Sequence, residues 1–241
     1  FDISVMFIKN HTPTYFREVR AGLDAIGLPL VMATAYPDFT HPDPAQRRRE
    51  AAYLEADMAA TIQLGGRYLR VLAGQNHPGV GRARGVATAV DGLRRAARAA
   101  EEMGLTLVYE NHAKPGAWDY IDFSFPPDIF LEVFEGIRDT PVMVNFDIGN
   151  ATAECAQAGG ELELLRKVID KVATLHVCDM REQGRFTPTL LGTGKTPIGS
   201  IFSYLKEHGF DGWFCIEEAS NQGIEGARKA HDFARRAWEN A

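Results

Sequence analysis

The chain has 241 residues, 45% of them apolar and 24% charged, with a formal net charge of −6. These values suit one globular domain of the larger kind and exclude disorder and fibrous repeats. The negative balance gives no field for holding a phosphate backbone, and no apolar run approaches the roughly 20 residues of a membrane helix, so neither nucleic acid nor membrane is an expected partner.

Short apolar or β-branched runs alternate with segments of helical period, the pattern of βα units on a parallel sheet. The first run is ISVMFI at 3–8, close behind Phe1. The opening FDISVMFIKN lacks the basic, apolar and small-residue order of a secretory signal, so a cytoplasmic chain is expected. A second run, LPLVMAT at 28–34, precedes REAAYLEADMAATIQLG, whose apolar positions three and four apart predict a helix stopped by Gly65. RYLRVLA at 67–73 is the third run; AVDGLRRAARAAEEMG then predicts a helix ending at Gly104, directly before LTLVYE at 105–110. The remaining runs are PVMVNFD at 141–147, VATLHVCD at 172–179 and GWFCIE at 212–217. Their near-continuous apolar character fits strands covered on both faces.

No Pro/Gly/Ser linker or charge run divides the chain, which predicts a single domain over residues 1–241. Seven strands are one short of the eight of a (β/α)8 TIM barrel. A first βα unit upstream of Phe1 is the expected account of the deficit, and an incomplete or differently closed barrel is the alternative. Cys155, Cys178 and Cys215 lack CxxC spacing and read as reduced core thiols.

Side chains at the C-terminal ends of barrel strands point into a shared mouth where catalytic groups are found. Four strands in succession place an acid or histidine there: Glu110 ends LVYE, Asp147 ends VNFD, His176 lies in LHVCD, and Glu217 follows FCI. Acids and histidines are about one residue in six, so one such end is unremarkable and four in a row are not. Three carboxylates gathered in a buried place raise one another's pKa and resist desolvation unless a cation compensates them. Taken singly, Asp147 can cap the helix that follows it, and His176 can be a hydrogen-bonded core histidine. Together the four predict a divalent-metal site. Three oxygens and an imidazole favour Mn²⁺, Mg²⁺ or Co²⁺ over a tetrahedral thiolate zinc, with mixed-ligand Zn²⁺ still open.

The segments YENH at 109–112, NFDIGNA at 145–151, LHVCD at 175–179 and LGTGKTPIGSIFSYLKEHGFDGWFCIEEAS at 191–220 resemble the sugar phosphate isomerase/epimerase group of the xylose isomerase-like barrel superfamily, as do AYPDFTHPDP at 35–44 and VLAGQNHPGV at 71–80. The resemblance implies a metal held by Glu110, Asp147, His176 and Glu217, with Glu110 and Glu217 also the catalytic acid/base pair on opposite faces of a small carbohydrate substrate. Homo-oligomers are common in that group. Proton removal α to a carbonyl builds an enediolate whose charge a metal neutralises, and two carboxylates can take and return the proton. Isomerisation or epimerisation is thus expected. The rivals are a lyase of keto-inositol, dehydroshikimate or oxidised-glycoside type on the same site, a phosphodiester-cleaving relative, which seven histidines and the acidic balance disfavour, and a non-catalytic sugar-binding barrel.

Two positions depart from the pattern. Where some keto-sugar epimerases carry a substrate-binding histidine three residues after the aspartate, this chain has Asn150; where they carry an arginine six residues after the histidine ligand, it has Glu182, beside Arg181 and Arg185. Asn150, Arg185, His112, His77 and Lys9 are the substrate-binding candidates, against loop-stabilising roles for the two histidines and a solvated Lys9. The aromatic run Trp118, Tyr120, Phe123 and Phe125 can wall a substrate or pack a loop. Gly194-Lys195-Thr196 mimics the end of a phosphate-binding loop, but Thr189 stands where its first glycine belongs. Glu218, alternating with Glu217, is expected to have a structural partner.

Overall fold

The computed structural model describes residues 2–114 and 116–241, apart from the side chain of Met6. Its contacts fall into two compact units, Phe1–Glu110 with Lys114–Met143 and Asn111–Ala113 with Val144–Ala241.

In the first unit four parallel strands pair in chain order: β1 (Asp2–Ser4), β2 (Met32–Thr34), β3 (Tyr68–Val71) and β4 (Thr106–Glu110). Helices α1 (Pro13–Ala25), α2 (Pro44–Leu64), α3 (Arg82–Glu102) and α4 (Pro127–Ile137) alternate with them. The helix starts follow capping chemistry. Thr12 Oγ1 accepts from Tyr15 N at 3.3 Å and Asp43 Oδ1 from Ala45 N at 2.8 Å, each just before a proline whose missing N–H costs the first turn nothing. Gly65 ends α2 at φ 91°, a backbone conformation that only glycine adopts freely. Leu69 and Val71 of β3 and Leu107, Val108 and Tyr109 of β4 are buried, so successive residues are covered on both faces. The Tyr109 ring stacks on Phe130 of α4 at 5.0 Å.

Two strands are shorter than their apolar runs. Strand β1 stops at Ser4 because its partner β2 offers only three residues, and Val5–Phe7 curls into a 3-10 turn closed by Ile8 N to Val5 O at 3.1 Å. Strand β2 loses the front of its run at Pro29, which has no N–H to give a ladder.

In the second unit β5 (Met143–Asp147), β6 (Val172–Val177) and a strand after the hairpin pair in parallel; the hairpin itself, β7 (Asp179–Met180) with β8 (Pro188–Thr189), is antiparallel. The strand after the hairpin is β9 (Trp213–Ile216). Helices α5 (Ile148–Glu154) and α6 (Gly160–Val168) lie between β5 and β6, and α7 (Ile198–Glu207) and α8 (Gly223–Glu239) flank β9. Phe202 of α7, Phe214 of β9 and Trp238 of α8 form an aromatic cluster with centroids 4.9–5.5 Å apart. The hairpin is the element the sequence pattern did not predict: two residues a side are too short to show alternation. Among the described residues no helix is long and apolar enough to cross a membrane.

Candidate metal centre

In the second unit, β5 and β6 stand in register so that Asp147 lies opposite His176, both at strand ends and both buried. Asp147 carries two duties. Its Oδ1 caps α5 by accepting from Asn150 N at 2.7 Å, and its Oδ2 accepts from Asn150 Nδ2 at 2.8 Å. The cap and a metal-ligand role are therefore compatible readings of one residue. The Cys178 thiol also donates to Asp147 Oδ1 at 3.2 Å, and burial pushes that thiol well above its ordinary pKa, so it stays protonated and inert. His176 Nδ1 lies 3.7 Å from Glu217 Oε2. Glu217 sits one residue past the end of β9, anchored by its N–H to Val177 O at 3.0 Å, with a side chain 59% exposed. It is the open member of the set.

Asn111 is a further constituent. Its amide closes a ring of two hydrogen bonds on the Asp147 backbone, Nδ2 donating to Asp147 O and Oδ1 accepting from Asp147 N, each 2.9 Å. A side chain thus plays the part of a neighbouring strand for the residue that ends β5.

In the first unit Glu110 ends β4 fully buried. Its Oε2 pairs with Arg70 Nε at 3.0 Å, and Arg70 also donates from Nη1 to Ala35 O at 3.1 Å while its guanidinium lies 4.3 Å over the Tyr36 ring. Burial opposes the Arg70 charge, but Glu110 and Tyr36 more than offset it and hold the pKa above the ordinary arginine value. Asp122 is buried nearby with Oδ1 accepting from both N and Oγ of Ser124 at 2.7 Å; burial outweighs those bonds and pushes its carboxyl up to about 8.

The other predicted residues have these places. His77 Nε2 contacts Asp38 Oδ2 at 2.7 Å, in a network where Asp38 also accepts from Gln75 N and Nε2, each at 3.0 Å, and Gln75 Oε1 accepts from the backbone of Asp119 and Tyr120. That bonding ties three loops of the first unit together. Asn150 is buried and its amide donates to Asp147, while His112 is half-buried. Lys9 and Arg185 are exposed, Arg185 against Glu182 at 3.4 Å. Phe123 packs where a Cβ on Gly85 would collide, so it serves packing. Glu218 accepts from Ser220 N at 2.7 Å and sits against Gly226 of α8, the structural role expected of it.

The Gly-Lys-Thr segment has an internal anion. The buried Asp179 carboxylate accepts from the backbone N–H groups of Gly192 at 3.0 Å, Gly194 at 2.8 Å and Thr196 at 3.1 Å. A concave run of amides that elsewhere cradles a phosphate here holds a side chain of the same chain.

A family model described as xylose isomerase-like TIM barrel matches residues 3–237. The chain belongs to this family. Among curated relatives, inosose dehydratase of Bacillus thuringiensis (strain Al Hakam) is 24% identical over 168 residues, covering 60% of this chain and 52% of the relative. A putative hydroxypyruvate isomerase of Streptomyces coelicolor (strain ATCC BAA-471 / A3(2) / M145) is 30% identical over 175 residues, covering 72% and 59%. The chain thus spans between half and three fifths of the length of these relatives. Among solved structures, the IolI protein with a bound zinc atom superposes with a TM-score of 0.81 at 16% identity, covering 99% of this chain and 87% of that one. At that identity the match establishes the fold, a (β/α) barrel of the xylose isomerase-like type.

Proposed function

We propose that the chain is a divalent-metal isomerase or epimerase of a small carbohydrate or polyol, with Glu110, Asp147, His176 and Glu217 as the metal ligands and Glu110 and Glu217 as the acid/base pair. One observation carries the reading: Asp147 and His176, both buried, lie opposite each other on paired strands of the second unit, and Glu217 Oε2 is 3.7 Å from His176 Nδ1. Carboxylates gathered about one imidazole lose hydration unless a cation joins them, and oxygen with nitrogen donors suits a hard or borderline divalent ion. The zinc in the IolI structure supports a metal in a barrel of this fold. Mn²⁺, Mg²⁺ and Co²⁺ fit the donor set as well.

When bound, such an ion supplies charge neutralisation as a proton leaves the carbon α to a carbonyl. The residues do the rest. Glu217, exposed and 3.7 Å from His176, would move a proton at its Oε atoms. Glu110, fixed by the buried Arg70, holds its carboxylate in one orientation for the opposite face of the substrate. Asn111 fixes the backbone that aims Asp147. His112 and Asn150, beside these residues in sequence, are the first substrate contacts we would assign, with His77, Arg185 and Lys9 after them.

The relatives keep a second reading in view, because one is named a dehydratase and another a putative isomerase. Turnover of keto sugars, hydroxypyruvate, keto-inositols and oxidised glycosides, followed by NMR of the products, decides between them: an unsaturated product identifies a lyase, an isomeric one an isomerase or epimerase. In the same assay Glu217→Gln should lower kcat by about 10²–10⁴-fold with the melting temperature unchanged. Parental turnover in that variant would remove Glu217 from the acid/base pair.

A further inference from the structure

Helix α2 carries a stripe at positions 50, 53, 54 and 57, the i, i+3, i+4, i+7 spacing of one helix face, and it reads Glu, Tyr, Leu, Asp. A face of this period that turns towards its own fold is ordinarily apolar; this one brings two carboxylates to a cavity of about 250 Å³ in the first unit. Tyr53, Tyr36 and Trp118 supply aromatic wall, the Tyr36 ring carrying the Arg70 guanidinium against it, and among the described residues no lysine or arginine lines the space. None of the four proposed metal ligands lines it either.

The two acids differ. Glu50 Oε1 accepts from Gln46 Nε2 at 2.6 Å, whereas no hydrogen bond from a described residue reaches the carboxylate oxygens of the half-buried Asp57. Burial pushes the Asp57 carboxyl up to about 6, the charge of Glu50 adds to that, and His11 draws it back. Tyr53, large and 61% exposed, stands at the rim. The exposed Tyr53 ring, beside two carboxylates that no described lysine or arginine pairs, matches a guest that is apolar on its surface and positive at its centre.

We propose that this cavity binds a small organic cation with a methylated nitrogen, its methyl groups against Tyr36, Tyr53 and Trp118 and its charge balanced by Glu50 and Asp57. The volume lies just below the ~300 Å³ at which pockets for drug-sized ligands begin, which limits the guest to a few heavy atoms. An inorganic divalent ion is a poorer match, because it wants oxygens all round and the rings offer none on their side.

Calorimetric titration of the full chain with choline chloride, against sodium chloride and magnesium chloride at equal ionic strength, tests this. Choline should give a saturable one-site isotherm in the millimolar range that the two inorganic salts do not reproduce. Tyr53→Ala and Asp57→Asn should each weaken it about five- to thirtyfold. Both substitutions leave the fold in place, Tyr53 being exposed and Asp57→Asn removing a partly buried charge, and thermal melts of the same samples check that. An absent isotherm, an equal response to magnesium, or choline affinity untouched by both variants overturns the proposal.

Discussion

The residue whose energetics the structure states most directly is Asp57. Its folded pKa is raised from 3.8 to about 6 by burial, so the folded chain holds that proton longer than the unfolded one. Stability therefore falls as pH rises from about 4 to 6, and above 6 the full penalty of a charged, partly buried carboxylate is present. Asp57→Asn removes it. After discounting for the solvent that reaches the group, the variant should be about 1–2 kcal/mol more stable than the parent at pH 7.5 and equal to it below pH 4, as read from urea midpoints. Asn111 argues the other way: its loss leaves both the N–H and the C=O of Asp147 short of a hydrogen bond in a buried place. Asn111→Ala should cost about 2–4 kcal/mol in the same urea measurement. His176→Ala should leave the fold standing and lower metal retention at least tenfold, scored by dialysis and elemental analysis.

Acid and histidine types at successive strand ends were legible in the sequence because strand period and chain order alone carry them there. Asn111 and Arg70 were not. Asn111 acts on a backbone 36 residues away and Arg70 on a carboxylate at the end of the next strand, and no local spacing encodes either meeting. Of the two readings of Asp147, the cap is what the structure shows: Oδ1 accepts from Asn150 N and Oδ2 from Asn150 Nδ2, while its ligand role belongs to the proposal.

At the scale of elements, the seven parallel strands and the long helices α2 and α3 follow the sequence pattern, while their ends follow local chemistry. Pro29 shortens β2, the short β2 in turn limits β1, and the predicted helix at 49–65 begins five residues earlier, at Pro44, because Asp43 caps it. The segment from β8 to α7 shows how a motif misleads when its partner is remote in sequence. Glycines that resemble a phosphate loop are there because Asp179 needs their N–H groups, and a Cβ on Gly194 would lie 2.3 Å from both Asp179 Oδ1 and Met180 O. Asp179→Asn keeps the shape but sets a donor amide against donor N–H groups. Hydrogen exchange should accelerate at Gly192, Gly194 and Thr196 with a stability loss of about 1–3 kcal/mol, while the strands keep their protection. Uniform acceleration across the chain would mean that Asp179 supports the whole fold rather than this loop.

For the molecule as a whole, membership in the xylose isomerase-like family spans residues 3–237, so the βα pattern read from the sequence and the family match describe the same stretch of chain. A ligand that binds only the folded chain stabilises it by mass action: a divalent ion at a hundred times its Kd adds about 2.7 kcal/mol. For a chain of this size that corresponds to a rise of about 5–10 °C in melting temperature, reversed by chelation and smaller in Asp147→Asn. The most direct test of the central claim is elemental analysis of the purified protein paired with turnover before and after chelation. About one equivalent of a divalent metal per chain is expected, with activity lost on chelation and restored by the ion; a metal-free protein with undiminished turnover, or bound metal that survives unchanged in Asp147→Asn and His176→Ala, would contradict a metal-dependent site.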